Sequence, residues 1–138
     1  MKEELFFDTT KPEPFPLIAK VLRGDWPEGI AFHTKDEFNI QVGTMSYPKG
    51  QHMKAHKHNV YPRVADRTNE AMYIVEGKIE AILLSEEGKE LSQVILVTGD
   101  IAIFLGGGHS FNVLKPCKIL EIKNGPYLGV EKDKTWYE

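Results

Sequence analysis

The chain has 138 residues, of which 41% are hydrophobic and 27% charged, with a formal net charge of −3. This length and balance predict one globular domain and argue against a nucleic-acid partner, which would favour a basic surface. The single cysteine, Cys117, excludes an intramolecular disulfide. A membrane-spanning helix needs about 18 or more consecutive apolar residues, and no stretch of this chain approaches that length. The start of the chain lacks the basic segment and apolar core of a signal peptide, so we expect a cytoplasmic protein without a membrane partner.

The first part of the chain predicts an extended arm with short strands. Pro12, Pro14 and Pro16 stand at alternate positions, which forbids a helix and favours an extended backbone. The run LIAKVL that follows them is typical of a short strand. We expect residues 1–138 to form a single domain, with the arm at 1–36 and a barrel core at 37–128.

From Asn39 onward the pattern alternates between short apolar runs and turn residues. The turns include a hairpin loop at residues 85–89, and Gly77, Gly99 and Pro116 are interpreted as breaks between strands. No segment of helix length shows a helical period. Many short strands at this spacing predict an all-β sandwich or barrel. The candidate strands are NIQVGTMS, MKAHKH, EAMYIVEG, KIEAILLS, QVILVT, DIAIFL, SFNVL and CKILEIKN.

The triplet His56-Lys57-His58 is the first candidate for chemistry. Alternate side chains of a strand share one face, with Cα atoms roughly 6.6 Å apart, so both imidazoles could reach one metal ion. A His-x-His triplet alone is a weak signal, and two surface histidines are the alternative. Glycine before a ligating histidine lets the backbone turn tightly, and Gly50 and the run Gly106 to Gly108 precede histidines here.

The glycines and histidines resemble, in type and order, the two motifs of the cupin superfamily. The first motif is matched by Gly50, His56, His58, Glu70 and Gly77, and the second by Gly99, Gly106 or Gly107, His109 and Asn112. The resemblance implies an antiparallel β-barrel of the cupin type, a double-stranded β-helix or jelly roll. It also implies one divalent metal ion held by the four ligands His56, His58, Glu70 and His109.

A group of bacterial single-domain cupins is more similar still. Its members carry a long loop with a Pro-Arg pair, then Gly-Gly-Gly-His, and end Lys-x-Gly-Pro-Tyr, as this chain does at Pro62-Arg63, at His109 and at Lys123 to Tyr127. This chain departs from the superfamily pattern in its long spacer between His58 and Glu70. The group is largely uncharacterised, and some members look associated with sugar or surface-polysaccharide metabolism.

The implied ligand set favours a catalytic metal. Three imidazoles and one carboxylate suit Fe, Mn, Ni or Zn, and they leave open positions on an ion that prefers six ligands. We expect an enzyme that acts on a small polar molecule inside the barrel, either a metal-dependent dioxygenase or a sugar isomerase or epimerase. The alternative is a non-catalytic small-molecule-binding or sensor cupin, because one fold hosts many functions.

Other reactive side chains favour ordinary structural roles. His52 lies too far along the predicted strand from His56 to share its ion, and His33 is interpreted as a packing or surface residue. Glu76 is a reserve carboxylate ligand. Cys117 is typical of a buried, inert thiol. The glycine run at 106–108 lacks the lysine and helix of a phosphate loop.

The long loop predicts the character of the ligand. Arg63 is interpreted as a clamp at the barrel mouth for a carboxylate or phosphate, with a solvated loop charge as the alternative. Tyr73, Phe111 and Asn112 are further candidates for substrate binding. We also expect a homodimer, because cupins commonly pair barrels and the proline-spaced arm could lie on a neighbour.

Overall fold

The protein is described by a computed structural model, which covers residues 1–137. It is an all-β structure with 47% strand and 3% helix. Among the described residues, no helix has the length and apolarity needed to cross a membrane. The elements in chain order are β1 (Lys2–Phe7), β2 (Leu17–Arg23), β3 (Gly29–Phe32), β4 (Gly43–Ser46), β5 (Glu70–Leu84), β6 (Glu90–Val97), β7 (Ile101–Phe104), β8 (Gly108–Lys123) and the one-turn helix α1 (Val130–Asp133).

The main sheet is antiparallel and strongly curled, which gives it the shape of a half-barrel. Its strand order is β1-β2-β7-β5-β6, and β8 pairs with β5. The long strand β5 organises it: residues 70–73 pair with β7, residues 78–84 pair with β6, and β8 runs along the whole other edge. Strands β3 and β4 form a separate two-stranded ribbon. The prediction of an antiparallel all-β fold is therefore confirmed.

Both faces of the sheet bury apolar side chains. The inner face carries the larger cluster, in which Ile74, Ile79 and Leu83 of β5 alternate with residues of the opposite face. The outer face carries a second cluster on β2, β7 and the start of β5, which Phe38, Ile40 and Val42 help to cover. Two covered faces explain why β7 is buried at all four positions, as its unbroken apolar sequence IAIF requires.

Two predicted strand breaks are wrong, because β5 and β8 each continue where a break was expected. Gly77 has a φ of +102° and lies at an irregularity in the β5–β8 register, so the strand bulges there and goes on. A Cβ atom at Gly77 would lie 2.2 Å from the carbonyl oxygen of Pro116. Pro116 itself lies within β8, whose far edge has no partner among residues 1–137 and so needs no N–H there. The predicted hairpin at residues 85–89 is confirmed, with the Ser85 amide donating to the Lys89 carbonyl at 2.8 Å.

The predicted strand MKAHKH is also wrong, because residues 51–67 form no helix or strand and are exposed throughout. The physical reason lies in its composition. One alternate set is Met53, Ala55 and Lys57, and the other is Lys54, His56 and His58, so neither face would be apolar. A strand is stabilised by burying one face against neighbours, and this segment has no such face.

Candidate functional site

Two predicted metal ligands meet on the inner face of the curled sheet. Glu70 is the first residue of β5, and His109 stands near the start of β8, where it pairs with Leu83 at the far end of β5. Despite this separation along the ladder, His109 Nε2 lies 2.5 Å from Glu70 Oε1. The curl of the sheet and the turn between β7 and β8 bring the two side chains together.

The surroundings favour a charged carboxylate at Glu70. The side chain is 9% exposed, and its second oxygen, Oε2, lies 3.4 Å from Lys123 Nζ. Burial alone would raise the pKa of Glu70. The hydrogen bond and charge of His109, helped by Glu121 and Lys123, outweigh burial and lower the pKa to about 2.

Aromatic rings hold the imidazole of His109 in place. Its ring centroid lies 4.4 Å from that of Phe104 and 5.1 Å from that of Phe111. Both phenylalanines also contact each other edge to face, with centroids 5.7 Å apart. Such contacts favour a defined ring orientation, in which Nε2 points toward Glu70.

Glu70 and His109 line a cleft of about 1530 Å³. Arg63 and its neighbours in the long loop form part of the wall, and Trp136 and Tyr137 of the C-terminal segment form another part. This volume exceeds the usual range of small-molecule sites, roughly 300–1,000 Å³, so a polar ligand with its water would fit.

The glycine-rich turn before His109 is held by three side chains. The Gly107 amide donates to Glu86 Oε1 at 3.0 Å, and Arg67 Nη2 donates to the same oxygen at 2.8 Å. The Tyr137 ring covers the turn so closely that a Cβ atom at Gly108 would lie 2.5 Å from it. Glu86 and Tyr137 were not among the predicted site residues, and no motif spacing points to them.

His56 and His58 lie together but away from the other two predicted ligands. Both are exposed, their ring centroids are 5.3 Å apart, and the His56 Nδ1 atom lies 3.0 Å from the Lys54 carbonyl oxygen. Within residues 1–137, no group of three or more His, Cys, Asp or Glu side chains is arranged to hold a metal ion. The structure thus presents the four predicted ligands as two pairs.

The predicted substrate-binding residues divide between the two faces of the sheet. Arg63 lines the cleft, and Phe111 lies on the inner face beside His109. Tyr73 pairs with Ile101 on the outer face, and Asn112 pairs with Glu80 and donates to its Oε2 at 2.9 Å. The structure therefore does not bring Tyr73 and Asn112 to the cleft.

The residues with predicted structural roles lie outside the site. His33 is buried and its Nε2 lies 2.9 Å from Thr44 Oγ1, which agrees with a packing role. Glu76 pairs with Lys118 at 3.2 Å on the surface. Cys117 is partly buried against the inner cluster.

The two pairs of predicted ligands have donor atoms of the types that divalent metals bind, and each pair could supply two of the four protein ligands. An imidazole nitrogen and a carboxylate oxygen are ligands that Fe, Mn, Ni and Zn accept. Two cis ligands at about 2.1 Å from one ion stand roughly 3 Å apart, so Glu70 and His109 would separate slightly to admit it. All four ligands could bind the same ion only if residues 51–67 adopted a different backbone conformation that brought His56 and His58 to Glu70 and His109.

No protein-family model, curated protein or solved structure matches the chain. The functional proposal therefore rests on the side chains of the cleft.

Proposed function

We propose that this chain is a metal-binding cupin that holds a small polar or anionic molecule in the cleft. The observation that supports this most is the contact of Glu70 with His109 at 2.5 Å on the inner face. A carboxylate and an imidazole facing one cleft are groups that can hold a metal or move a proton. Completion of the curled sheet as a cupin-type jelly roll is part of the same proposal.

The ion would be held by Glu70 and His109 on the sheet and by His56 and His58 from the long loop. Support comes from where the loop ends: residues 61–68 already line the cleft, and Arg63 stands only five positions after His58. The two imidazoles of the loop lie side by side, so both could approach together. Once bound, the ion would supply Lewis-acid polarisation of a ligand oxygen.

The chain's own residues would prepare the site and orient the ligand. The neighbouring Lys123 helps to keep Glu70 ionised, while Phe104 and Phe111 fix the ring of His109. Among residues 1–137, Arg63 forms no ion pair with a carboxylate, so its guanidinium is free to bind an anionic group. A sugar acid or sugar phosphate has both the negative charge and the hydroxyl groups that this cleft would bind.

The candidate reactions are oxygen-dependent oxidation and isomerisation, and a binding or sensor role is the second candidate function. The large cleft lined by polar and charged side chains supports the second candidate, because ligand binding needs only such a cleft. Oxygen consumption with Fe²⁺ would identify an oxygenase, and solvent deuterium in a recovered sugar would identify an isomerase. Thermal stabilisation by a ligand without turnover would identify a binder.

The test is metal stoichiometry in reconstituted protein. Protein loaded with Mn²⁺ or Zn²⁺ and dialysed should retain close to one equivalent by elemental analysis. Glu70→Gln, His109→Ala, His56→Ala and His58→Ala should each lose most of it. His52→Ala is the matched control, since His52 is an exposed histidine of the same loop outside the ligand set.

Each other outcome contradicts a defined part of the proposal. Less than about a tenth of an equivalent in the native protein would remove the metal site. Loss in the Glu70 and His109 variants with retention in the His56 and His58 variants would reduce the site to two protein ligands. Loss in His52→Ala as well would indicate nonspecific binding to the loop.

A further inference from the structure

The indole ring of Trp136 forms part of the wall of the cleft that contains Glu70 and His109. Its side chain is 72% exposed, although tryptophan is among the side chains that gain most from burial. Lys134 Nζ lies over the ring, 5.9 Å from its centroid. Most of the remaining ring surface is therefore open to a ligand.

The neighbouring residue Tyr137 holds Trp136 at the cleft. The Tyr137 hydroxyl donates to the carbonyl oxygens of Ser85 and Glu86, at 3.1 and 3.2 Å. Its ring lies so close to the glycine-rich turn that a Cβ atom at Gly108 would lie 2.5 Å from it. Because the backbone next to Trp136 is anchored in this way, less conformational entropy is lost when a ligand contacts the indole.

The charged side chains around the cleft limit the charge of its ligand. Acidic lining residues outnumber basic ones. Two of them, Asp36 and Glu37, are exposed and form no ion pair with a basic side chain among residues 1–137. Carboxylates repel a ligand with several negative charges, but they accept hydrogen bonds from hydroxyl groups. The cleft therefore favours a ligand with many hydroxyl groups and at most one negative charge, which Arg63 could bind.

A sugar in its pyranose form has the properties that this wall and these carboxylates require. Its hydroxyl groups lie around the rim of the ring, where they can donate to carboxylates. Its flat face presents C–H groups, whose slight positive charge suits the negative face of an aromatic ring. An open-chain sugar acid has similar hydroxyl groups but no flat face to place on an indole.

We propose that Trp136 is a stacking surface for a pyranose ring of the ligand. The inference rests on the proposed binding of a polar molecule in the cleft, and it does not depend on the metal. It narrows the ligand to a cyclic sugar or sugar acid, since a phosphate group would add nearly two negative charges to a cleft rich in carboxylates. Trp136 is then a specificity-determining residue that selects the closed ring over the open chain.

Fluorescence of Trp136 measures this contact directly. The chain has two tryptophans, and Trp26→Phe leaves Trp136 as the only indole. Trp26 lies between β2 and β3 and does not line the cleft. The probes are methyl glucuronoside, whose ring is locked, and gluconate, an open-chain acid of the same charge. Emission should shift saturably with methyl glucuronoside and change little with gluconate.

Calorimetry with the same probes compares the variants. Trp136→Ala should weaken the binding of methyl glucuronoside about 3- to 10-fold, the scale of one aromatic contact, and should leave gluconate unaffected. Trp136→Phe should keep part of the affinity, because it keeps an aromatic face. Trp26→Ala is the matched control, since it removes an exposed tryptophan outside the cleft. Glucose 6-phosphate should bind the native chain more weakly than methyl glucuronoside does.

Three results would overturn the stacking role of Trp136. They are unchanged affinity in Trp136→Ala, an equal loss for both probes, and no binding of methyl glucuronoside to the native chain at up to about 20 mM. Tighter binding of glucose 6-phosphate would contradict the limit on ligand charge.

Titrations with a chelator and with Zn²⁺ separate this inference from the metal site. If the reconstituted protein holds no metal but methyl glucuronoside still depends on Trp136, only the metal site is wrong. If the metal binds and the affinity does not depend on Trp136, only the stacking surface is wrong.

Discussion

Glu70 Oε1 and His109 Nε2 lie 2.5 Å apart, although Glu70 begins β5 and His109 pairs with Leu83 near the other end of that strand. The curl of the sheet and the turn between β7 and β8 bring the two side chains into contact. The geometry of this contact therefore depends on the curvature of β5, where the bulge at Gly77 lies midway. A change in the curvature of the sheet would therefore change the distance between Glu70 and His109.

The pH dependence of stability should report the Glu70 pair. The pKa of Glu70 is lowered to about 2 in the folded chain, from 4.5 when it is exposed. The stabilisation is therefore complete above pH 4.5 and is lost as the pH falls toward 2. It amounts to about 1–3 kcal/mol of the free energy of unfolding.

Urea unfolding at a series of pH values measures this. Between pH 5 and pH 2.5, Glu70→Gln should lose less stability than the native chain. Glu76→Gln is the control, because Glu76 forms an exposed ion pair with Lys118. If the native chain and Glu70→Gln decline in parallel, the carboxylate is not stabilised by its neighbours.

Gly77→Ala should destabilise the fold more than Gly99→Ala does. Both glycines have positive φ, at +102° and +93°, so alanine is strained at either position. At Gly77 the added Cβ also meets the Pro116 carbonyl oxygen at 2.2 Å, whereas at Gly99 it meets nothing within 4 Å. We expect about 1–2 kcal/mol for Gly99→Ala and at least about 3 kcal/mol for Gly77→Ala, by chemical denaturation. Equal losses would show that the bulge relaxes freely.

Tyr137→Phe should loosen the C-terminal segment from the glycine-rich turn. The Tyr137 hydroxyl donates to the carbonyl oxygens of Ser85 and Glu86, at 3.1 and 3.2 Å. Phenylalanine keeps the ring over Gly108 but loses this donor, which costs about 0.5–1.5 kcal/mol locally. Hydrogen exchange at residues 85–88 and 106–108 should accelerate several-fold, and exchange in β2 should not. Unchanged exchange at both turns would show that the ring alone holds the segment.

Arg63→Ala should weaken the binding of anionic ligands and leave metal content unchanged. The loss should be about 1.5–3 kcal/mol, the scale of a hydrogen bond to a charged group, measured by calorimetry with sugar acids and sugar phosphates that stabilise the native chain. Arg63→Lys should restore only part of it, since lysine cannot form two parallel hydrogen bonds. Lys118→Ala, a basic residue outside the cleft, is the control. If Arg63→Ala bound the anionic ligands as tightly as the native chain, Arg63 would be a solvated loop charge with no role in binding.

Local chemistry made part of the strands and turns of this chain predictable from its sequence. The hairpin at 85–89 and the apolar runs of β5 to β8 were predicted because turn residues and alternation are local signals. The predicted strand breaks at Gly77 and Pro116 were wrong, because a β-bulge and an unpaired sheet edge tolerate residues that usually end strands. His56 and His58 were placed on a strand from their spacing alone, without an apolar face to hold one.

Only part of the candidate site could be predicted from the sequence, because most of its contacts join residues far apart in the chain. Glu70 and His109 were identified by motif, but their contact depends on sheet curvature, which no spacing encodes. Lys123, Glu86 and Tyr137 act through contacts between distant parts of the chain, so a single sequence gives no signal for their roles. Tyr73 and Asn112 lie on the outer face because side chains of β5 and β8 alternate between the two faces.

In the proposed site, one metal ion joins Glu70 and His109 to His56 and His58. Anomalous scattering from crystals grown with Zn²⁺ would locate this ion. We predict one strong peak per chain, within about 2.0–2.2 Å of a Glu70 carboxylate oxygen and of nitrogens of His109, His56 and His58. A peak on His56 and His58 alone, or no peak at Glu70 and His109, would contradict the account.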